Sequence, residues 1–324
     1  MQILLLVFFS SNISLTKKIQ IPGFVSSPIM GIMNDDSFWL GDYNDSSVRF
    51  FDSDGNYISE KTISYGSGQG PGEFQNPRYI IPLEDQNRLI ITCKFGKTIS
   101  FDLSTGKFKE KLINFLPFGA SLKFNENSFA FIWARNPGSS SKEGVFFFNA
   151  KGDITEFWEA PQPRWQKEYI YDVPRGYAID ANKNIYIGHG GRPEIMVLEH
   201  KNAEYNIWNI KLPRGYEPPP KKNLSRDAMI NSEKLNAYFN GFSFIDNLFT
   251  ISEHYLLVVW NNRKPLSISL DIYDLRKKER IIGNYKIPGH VVGVGVNSIF
   301  VHELVENDDF EEDETRIIVY EFSR

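Results

Sequence analysis

Short apolar runs alternate with polar, turn-forming clusters along almost the whole chain. Asp35–Ile63, "DDSFWLGDYNDSSVRFFDSDGNYISEKTI", shows the pattern. It predicts a turn, a strand over Phe38–Asp42, a loop, a strand over Val48–Phe51, a Gly-centred turn and a strand over Tyr57–Ile63. The "DSDGN" turn at Asp52–Asn56 is a hairpin signal, because Asp, Asn and Gly tolerate positive φ. The same order recurs at Asp85–Ile113 with "DLSTGKF", at Asn125–Trp158 with "NAKGDI", and at Ala181–Ile210 with "EHKNAEY". It recurs again at Ser252–Ile287 with "DLRKKER" and at Asn297–Phe322, where the chain ends after a third strand.

Ahead of each unit lies one more short apolar strand: "PIMGIM", "RYIIPL", "ASLKF", "GYAID", "GFSFID" and "HVVGVGV". Units of four strands repeating at about forty to fifty residues are the pattern of propeller blades. The expected fold is therefore an all-β, six-bladed β-propeller of four-stranded blades over residues 16–324. The final unit lacks its fourth strand, and "KKIQIP" at Lys17–Pro22 has no unit of its own. That N-terminal strand is expected to complete the last blade and close the ring, which removes the edges an open sheet would expose.

The regularity breaks at Pro213–Asn240, between the fourth and fifth units. A triple proline forms a stiff extended link there. "SRDAMINSEKLNAYFN" then predicts a helix, with Ser225 as N-cap and Ala228, Leu235 and Tyr238 or Phe239 near one face.

Composition narrows the function classes. The chain is 41% hydrophobic and 15% aromatic, ample for a buried core, and its formal charge of -4 carries no basic stripe for nucleic acid. Cys93 is the sole cysteine, so an internal disulfide and a cysteine-built metal site are excluded; in "RLIITCKF" it reads as a small buried hydrophobe. The apolar run Ile3–Phe9 is too short to span a bilayer, which needs about twenty residues. It suits the core of an export signal over residues 1–15, although the usual preceding positive charge is missing. An upstream start would explain the missing charge, and a first strand of the domain is the alternative reading.

"YGSGQGPGEFQNPRY" at Tyr65–Tyr79 has the look of a phosphate-binding loop. A dinucleotide loop or P-loop requires a following helix, whereas Pro71, Pro77 and a strand-like run come next here, with no Gly-Lys-Ser/Thr. Through Gly68, Gly70, Pro71, Gly72, Glu73, Phe74 and Pro77 the stretch instead resembles the blade junction of NHL-type and TolB-like six-bladed propellers. The resemblance implies that Phe74 plugs the space between blades and that Glu73 bonds loop amides. It implies little about function, because this fold serves binding modules, scaffolds and enzymes alike.

A propeller gathers residues at its axis that are far apart in sequence. The starts of the innermost strands offer Arg78, Tyr79, Ser121, Arg175, Asn240 and His290 as an axial ligand-binding set. Two arginines and a histidine there would attract a carboxylate or phosphate; pairing with acidic neighbours at blade junctions is the structural alternative. The five histidines, His189, His200, His254, His290 and His302, show no metal-binding spacing. The acidic run Glu303–Glu314 lacks the Gly-centred spacing of a calcium loop and reads as a solvated connection. Related propeller lyases and lactonases hold an axial divalent metal, which needs several histidines or carboxylates at these positions. The sequence therefore points to an exported, monomeric binding or scaffold module without a cofactor, its partner a peptide, glycan or protein. The alternative is a metal-dependent lyase or hydrolase with its site at the channel mouth.

Overall fold

The structure, a computed structural model, describes residues 11–23, 25–68, 70–94, 96–114, 119–135, 143–160, 174–200, 204–221, 224–225, 230–263, 266–303 and 315–323. Among them, six four-stranded antiparallel sheets are arranged as the blades of a propeller. The first strand among the described residues is β1 (Asn12–Ile21). Blade 1 holds β2 (Pro28–Ile32), β3 (Phe38–Asp42), β4 (Ser47–Phe51) and β5 (Tyr57–Ser64). Blade 2 holds β6 (Pro77–Leu83), β7 (Arg88–Cys93), β8 (Lys97–Asp102) and β9 (Phe108–Asn114). Blade 3 continues with β10 (Ser121–Asn125), β11 (Ser128–Arg135), β12 (Glu143–Asn149) and β13 (Ile154–Glu159). Blade 4 is β14 (Pro174–Ile179), β15 (Ile185–His189), β16 (Glu194–Glu199) and β17 (Glu204–Asn209). Blade 5 is β18 (Phe244–Ile251), β19 (Tyr255–Arg263), β20 (Leu266–Asp274) and β21 (Glu279–Ile287).

Blade 6 combines β22 (Gly289–Val294), β23 (Ser298–Glu303) and β24 (Thr315–Ser323) with the N-terminal β1 on the outside. The register runs from Asn12 opposite Ser323 to Ile21 opposite Thr315. The closing strand thus starts five residues earlier than "KKIQIP" suggests, and it enters the stretch read as an export signal. Ile13 gives the reason: it is buried beside Tyr255 and Phe322. The preceding residues 1–10, the connections 201–203 and 304–314, and with them most of the acidic run, lie outside the described residues.

The main core lies in six hydrophobic clusters, one at each junction between adjacent blades. A middle strand faces one cluster on each side, so β3 and β8 are buried along almost their whole length. Outermost strands such as β17 keep exposed positions. The turns that end the third strands of blades 1, 2, 3 and 5 share one device. Asp52 Oδ1 accepts the amides of Asp54 and Asn56 at 3.0 and 2.8 Å. Asp102, Asn149 and Asp274 repeat the arrangement in blades 2, 3 and 5. A short side-chain acceptor thereby satisfies amides that the ladder leaves open.

Among the described residues the insertion holds one helix, α1 (Ser232–Phe239), in the C-terminal half of the expected stretch. Its N-cap is Asn231, whose Oδ1 accepts the Lys234 amide at 2.9 Å; the expected cap Ser225 is followed by residues that lie outside the described ones. Asn231 satisfies an amide that the first helical turn cannot, so the helix starts after it. Leu235, Tyr238 and Phe239 are its half-buried positions, and residues 226–229 lie outside the described residues.

Neighbouring blades are also latched by polar groups. Glu156 of blade 3 pairs with Lys183 of blade 4, bonds His200 Nε2 at 2.9 Å and accepts from Trp158 Nε1 at 2.6 Å. Partial burial opposes ionisation of Glu156, but these hydrogen bonds outweigh it and bring the carboxyl down to about 2.

Two outcomes test this arrangement. Ile13→Ala should destabilise the protein by about 2–4 kcal/mol in denaturant unfolding, whereas exposed Lys18→Ala should stay within about 0.5 kcal/mol. A loss as small as that of Lys18→Ala would mean that β1 does not hold the ring. Glu156→Gln should cost about 1 kcal/mol at neutral pH, allowing for solvent screening. Because the folded carboxyl titrates below its ordinary 4.5, this difference should persist above that pH and fade as pH falls toward about 2. A pH-independent difference would contradict the latch.

Candidate functional site

The six innermost strands, β2, β6, β10, β14, β18 and β22, stand next to one another in a closed circle. They enclose an axial channel of about 1300 Å³, lined by residues from both ends of each strand. The strands start at what we term the upper mouth and end at the lower. Ile32, Leu122, Ala178, Leu248 and Val292 give its walls an apolar character.

The upper mouth is shaped by β-bulges. Along β6, Pro77 pairs with Cys93 and Tyr79 with Thr92, leaving Arg78 as the extra residue. Gly176 of β14, Asp246 of β18 and Val292 of β22 are left over in the same way. A bulge frees one residue from the ladder and re-aims it. Arg78 and Asp246 are the charged residues so presented; they belong to blades 2 and 5, on opposite sides of a six-membered ring. Gly176 is required by its backbone: its φ is +71°, and a Cβ would come within 2.5 Å of the Leu248 amide.

Around Arg78 the mouth is rich in donors. Its guanidinium is exposed and makes no hydrogen bond or ion pair among the described residues. The Tyr79 hydroxyl donates to the Gly119 carbonyl at 3.2 Å. The ring of Tyr177 lies so near Gly119 that a Cβ there would meet it at 3.3 Å, and its hydroxyl has no hydrogen-bond partner among the described residues. Burial raises the pKa of both phenols, so they remain protonated donors. Ser121 lines the channel but is buried, and it accepts from Thr92 Oγ1 at 3.3 Å.

Across the mouth, the Nδ1–H of His290 donates to Asp246 Oδ2 at 3.1 Å. His302 is its cross-strand neighbour, with a pKa lowered by burial and by His290, against the pull of Asp42. Two further arginines stand behind Asp246. Arg175 packs over Phe244 at 4.6 Å and over Phe239 of α1 at 5.3 Å, and Arg263 covers Phe244 at 5.4 Å.

Of the six residues read from the sequence, Arg78, Tyr79, Ser121 and His290 line the channel. Arg175 lies outside the lining, because its guanidinium stacks on the aromatic cluster that seats α1. Asn240 is the C-cap of α1, exposed, with its amide donating to Asn236 O at 2.8 Å. Its displacement comes from the start of β18 at Phe244, three residues into the expected strand "GFSFID". Asp246 and Tyr177 are lining residues that sequence reasoning missed; the acidic end of "GFSFID" was the available signal for the first.

The other histidines are dispersed. His189 is fully buried, accepts the amides of Gly191 and Arg192 on Nδ1, and is pushed by burial to about 3. His200 belongs to the Glu156 latch, and His254 lies on an exposed turn. No group of three histidine, cysteine, aspartate or glutamate side chains is positioned to hold a metal ion among the described residues.

The Gly-rich stretch is a junction. Phe74 is fully buried in the cluster between blades 1 and 2, and Glu73 Oε2 accepts the Gly70 amide at 2.8 Å. A Cβ at Gly68 would sit 2.3 Å from that carboxylate. Lys97, which sequence reasoning did not single out, donates to the carbonyls of Gly70 and Glu73 from a buried position.

A protein-family model described as a 6-bladed beta-propeller matches residues 30–156. No curated protein matches the chain. Among solved structures, the chain is similar to the "Putative exported protein" of Bacteroides fragilis NCTC 9343, with a TM-score of 0.56, 13% identity and coverage of 96% of both chains. It is also similar to the Cps50 (Swd1) beta-propeller domain of Myceliophteria thermophila, at a TM-score of 0.50 and 14% identity over 87% of this chain and 81% of that one. U3-55K aligns with a TM-score of 0.52 and 10% identity over 88% of this chain and 77% of the other. Likeness at these identities speaks for the fold alone, and the fold of this chain is a six-bladed β-propeller.

Proposed function

We propose that the protein is an exported binding or scaffold module that takes a peptide, glycan or protein partner at the upper mouth of its axial channel. The observation that carries this reading is Arg78, an exposed guanidinium presented by a β-bulge beside an apolar channel and without an ion-pair partner among the described residues. A guanidinium in this position suits an anionic group on the partner. His290, fixed by Asp246, offers its other ring nitrogen on the same rim. The junction at Gly68–Pro77 supports an NHL-type or TolB-like relationship.

Export is supported by the apolar run Ile3–Phe9 and by the description of the Bacteroides fragilis protein. Among the described residues, no helix is long and apolar enough to cross a membrane.

4-Phenylbutyrate, a carboxylate with an apolar tail, tests the mouth against its neutral analogue 4-phenylbutanol in calorimetric titrations. The acid should bind about tenfold more tightly, and Arg78→Ala should abolish the preference while Arg78→Lys keeps part of it. A preference unchanged by Arg78→Ala would refute the assignment. Export is tested by N-terminal sequencing of the protein from cell fractions. The mature chain should be extracytoplasmic and begin at or before Asn12, because β1 is needed whole; a cytoplasmic chain retaining Met1 would refute it.

A further inference from the structure

We infer that the channel accommodates an extended peptide with both ends free, its carboxylate at Arg78 and its ammonium at the lower mouth. This rests on the binding reading above and specifies the class and direction of the ligand. The first support is the difference in charge between the two mouths. At the upper one, Arg78 stands unpaired among the described residues, while Asp246 is engaged by His290 and flanked by Arg175 and Arg263. At the lower one, the lining carries one cation, Lys123, and the carboxylates of Glu126, Asp180 and Glu253.

The lower carboxylates differ in what they have left to offer. Asp180 is satisfied by its own turn and by Tyr186, so it contributes field and not contact. Lys123 bridges Glu126 at 2.7 Å and Glu84 at 3.6 Å. That leaves Glu126 Oε2 buried with no hydrogen-bond partner among the described residues. Glu253 is exposed on the rim, in a turn whose residues Ser252 and Glu253 both adopt left-handed φ, +50° and +57°. Bonds from the Ser252 amide and hydroxyl to the Val296 carbonyl, each 2.9 Å, hold that turn in place. An ammonium group with three donors fits this acceptor-rich end, as a carboxylate fits the guanidinium at the other.

The length and the walls agree. Inner strands of five to eight residues define the channel. At about 3.3 Å per residue, six extended residues cover about 20 Å, a matching span. The apolar walls suit small aliphatic side chains between the charged ends. A neutral glycan would leave both mouths unused, and an acidic one would meet repulsion at the lower mouth.

Affinity selection with mass-spectrometric readout tests the inference on the full chain. The probe is a hexapeptide pool randomised over Ala, Val, Leu and Ser, supplied with free ends, N-acetylated, C-amidated or doubly capped. Free-ended peptides should be retained about tenfold better than either singly capped form. Arg78→Ala should erase the penalty of amidation and leave that of acetylation; Glu126→Gln combined with Glu253→Gln should do the reverse. Should loss of Glu126 disturb the Lys123 pair and folding, Glu253→Gln alone carries the lower-mouth arm. Equal retention of acetylated and free peptides, with amidation still harmful, would overturn the inference and leave the upper-mouth reading standing. Equal retention of all four forms, or retention of none, would overturn it too, and the phenylbutyrate titration would then decide the upper mouth separately.

Discussion

The pairing of β1 with β24 is the constraint on which everything else depends. A blade cannot bury both of its faces alone, so each relies on a neighbour, and the hydrophobic clusters lie between blades. In an open row, the first and last blades would expose an apolar face and an unpaired edge. Joining the two ends of the chain in one sheet makes the last junction equivalent to the others, and it places Ile13, Ile19 and Ile21 in the flanking clusters. The channel exists because that circle is complete.

Once the circle closes, the inner strands must approach one another, and the upper mouth shows how this is accommodated. Four of the six inner strands carry a bulge near their start. Two of the four surplus residues are charged, one is glycine and one is valine. The same local irregularity that relieves crowding in one blade thus presents Arg78 in another. Structural and chemical roles are set by the residue on the bulge, not by the bulge itself.

The junction before β6 illustrates the same economy. Glycines close to the Glu73 carboxylate, a buried phenylalanine and a buried lysine amine form a compact crossing between blades. Its resemblance to a phosphate loop comes from a shared need for backbone approach without a Cβ. The junction leads into a strand rather than a helix, and the Gly70 amide turns inward to Glu73. Its contribution to the site is to fix the start of β6, and hence Arg78.

Strand order, blade count, hairpin positions and the closing strand were legible in the sequence, because they rest on local alternation and on turn residues that act within five positions. Arg78, Tyr79, Ser121 and His290 were legible as axial residues for the same reason: the start of an inner strand can be read from its apolar run. Tertiary structure decided the rest. Whether Arg175 faces the channel or stacks on Phe244 depends on where α1 packs, and Asn240 was displaced by a strand start that no local signal marks. Asp246 and Tyr177 became site residues through a skipped register and a contact across blades. The charge difference between the two mouths likewise belongs to no segment, since it arises only when residues distant in sequence are brought around one axis.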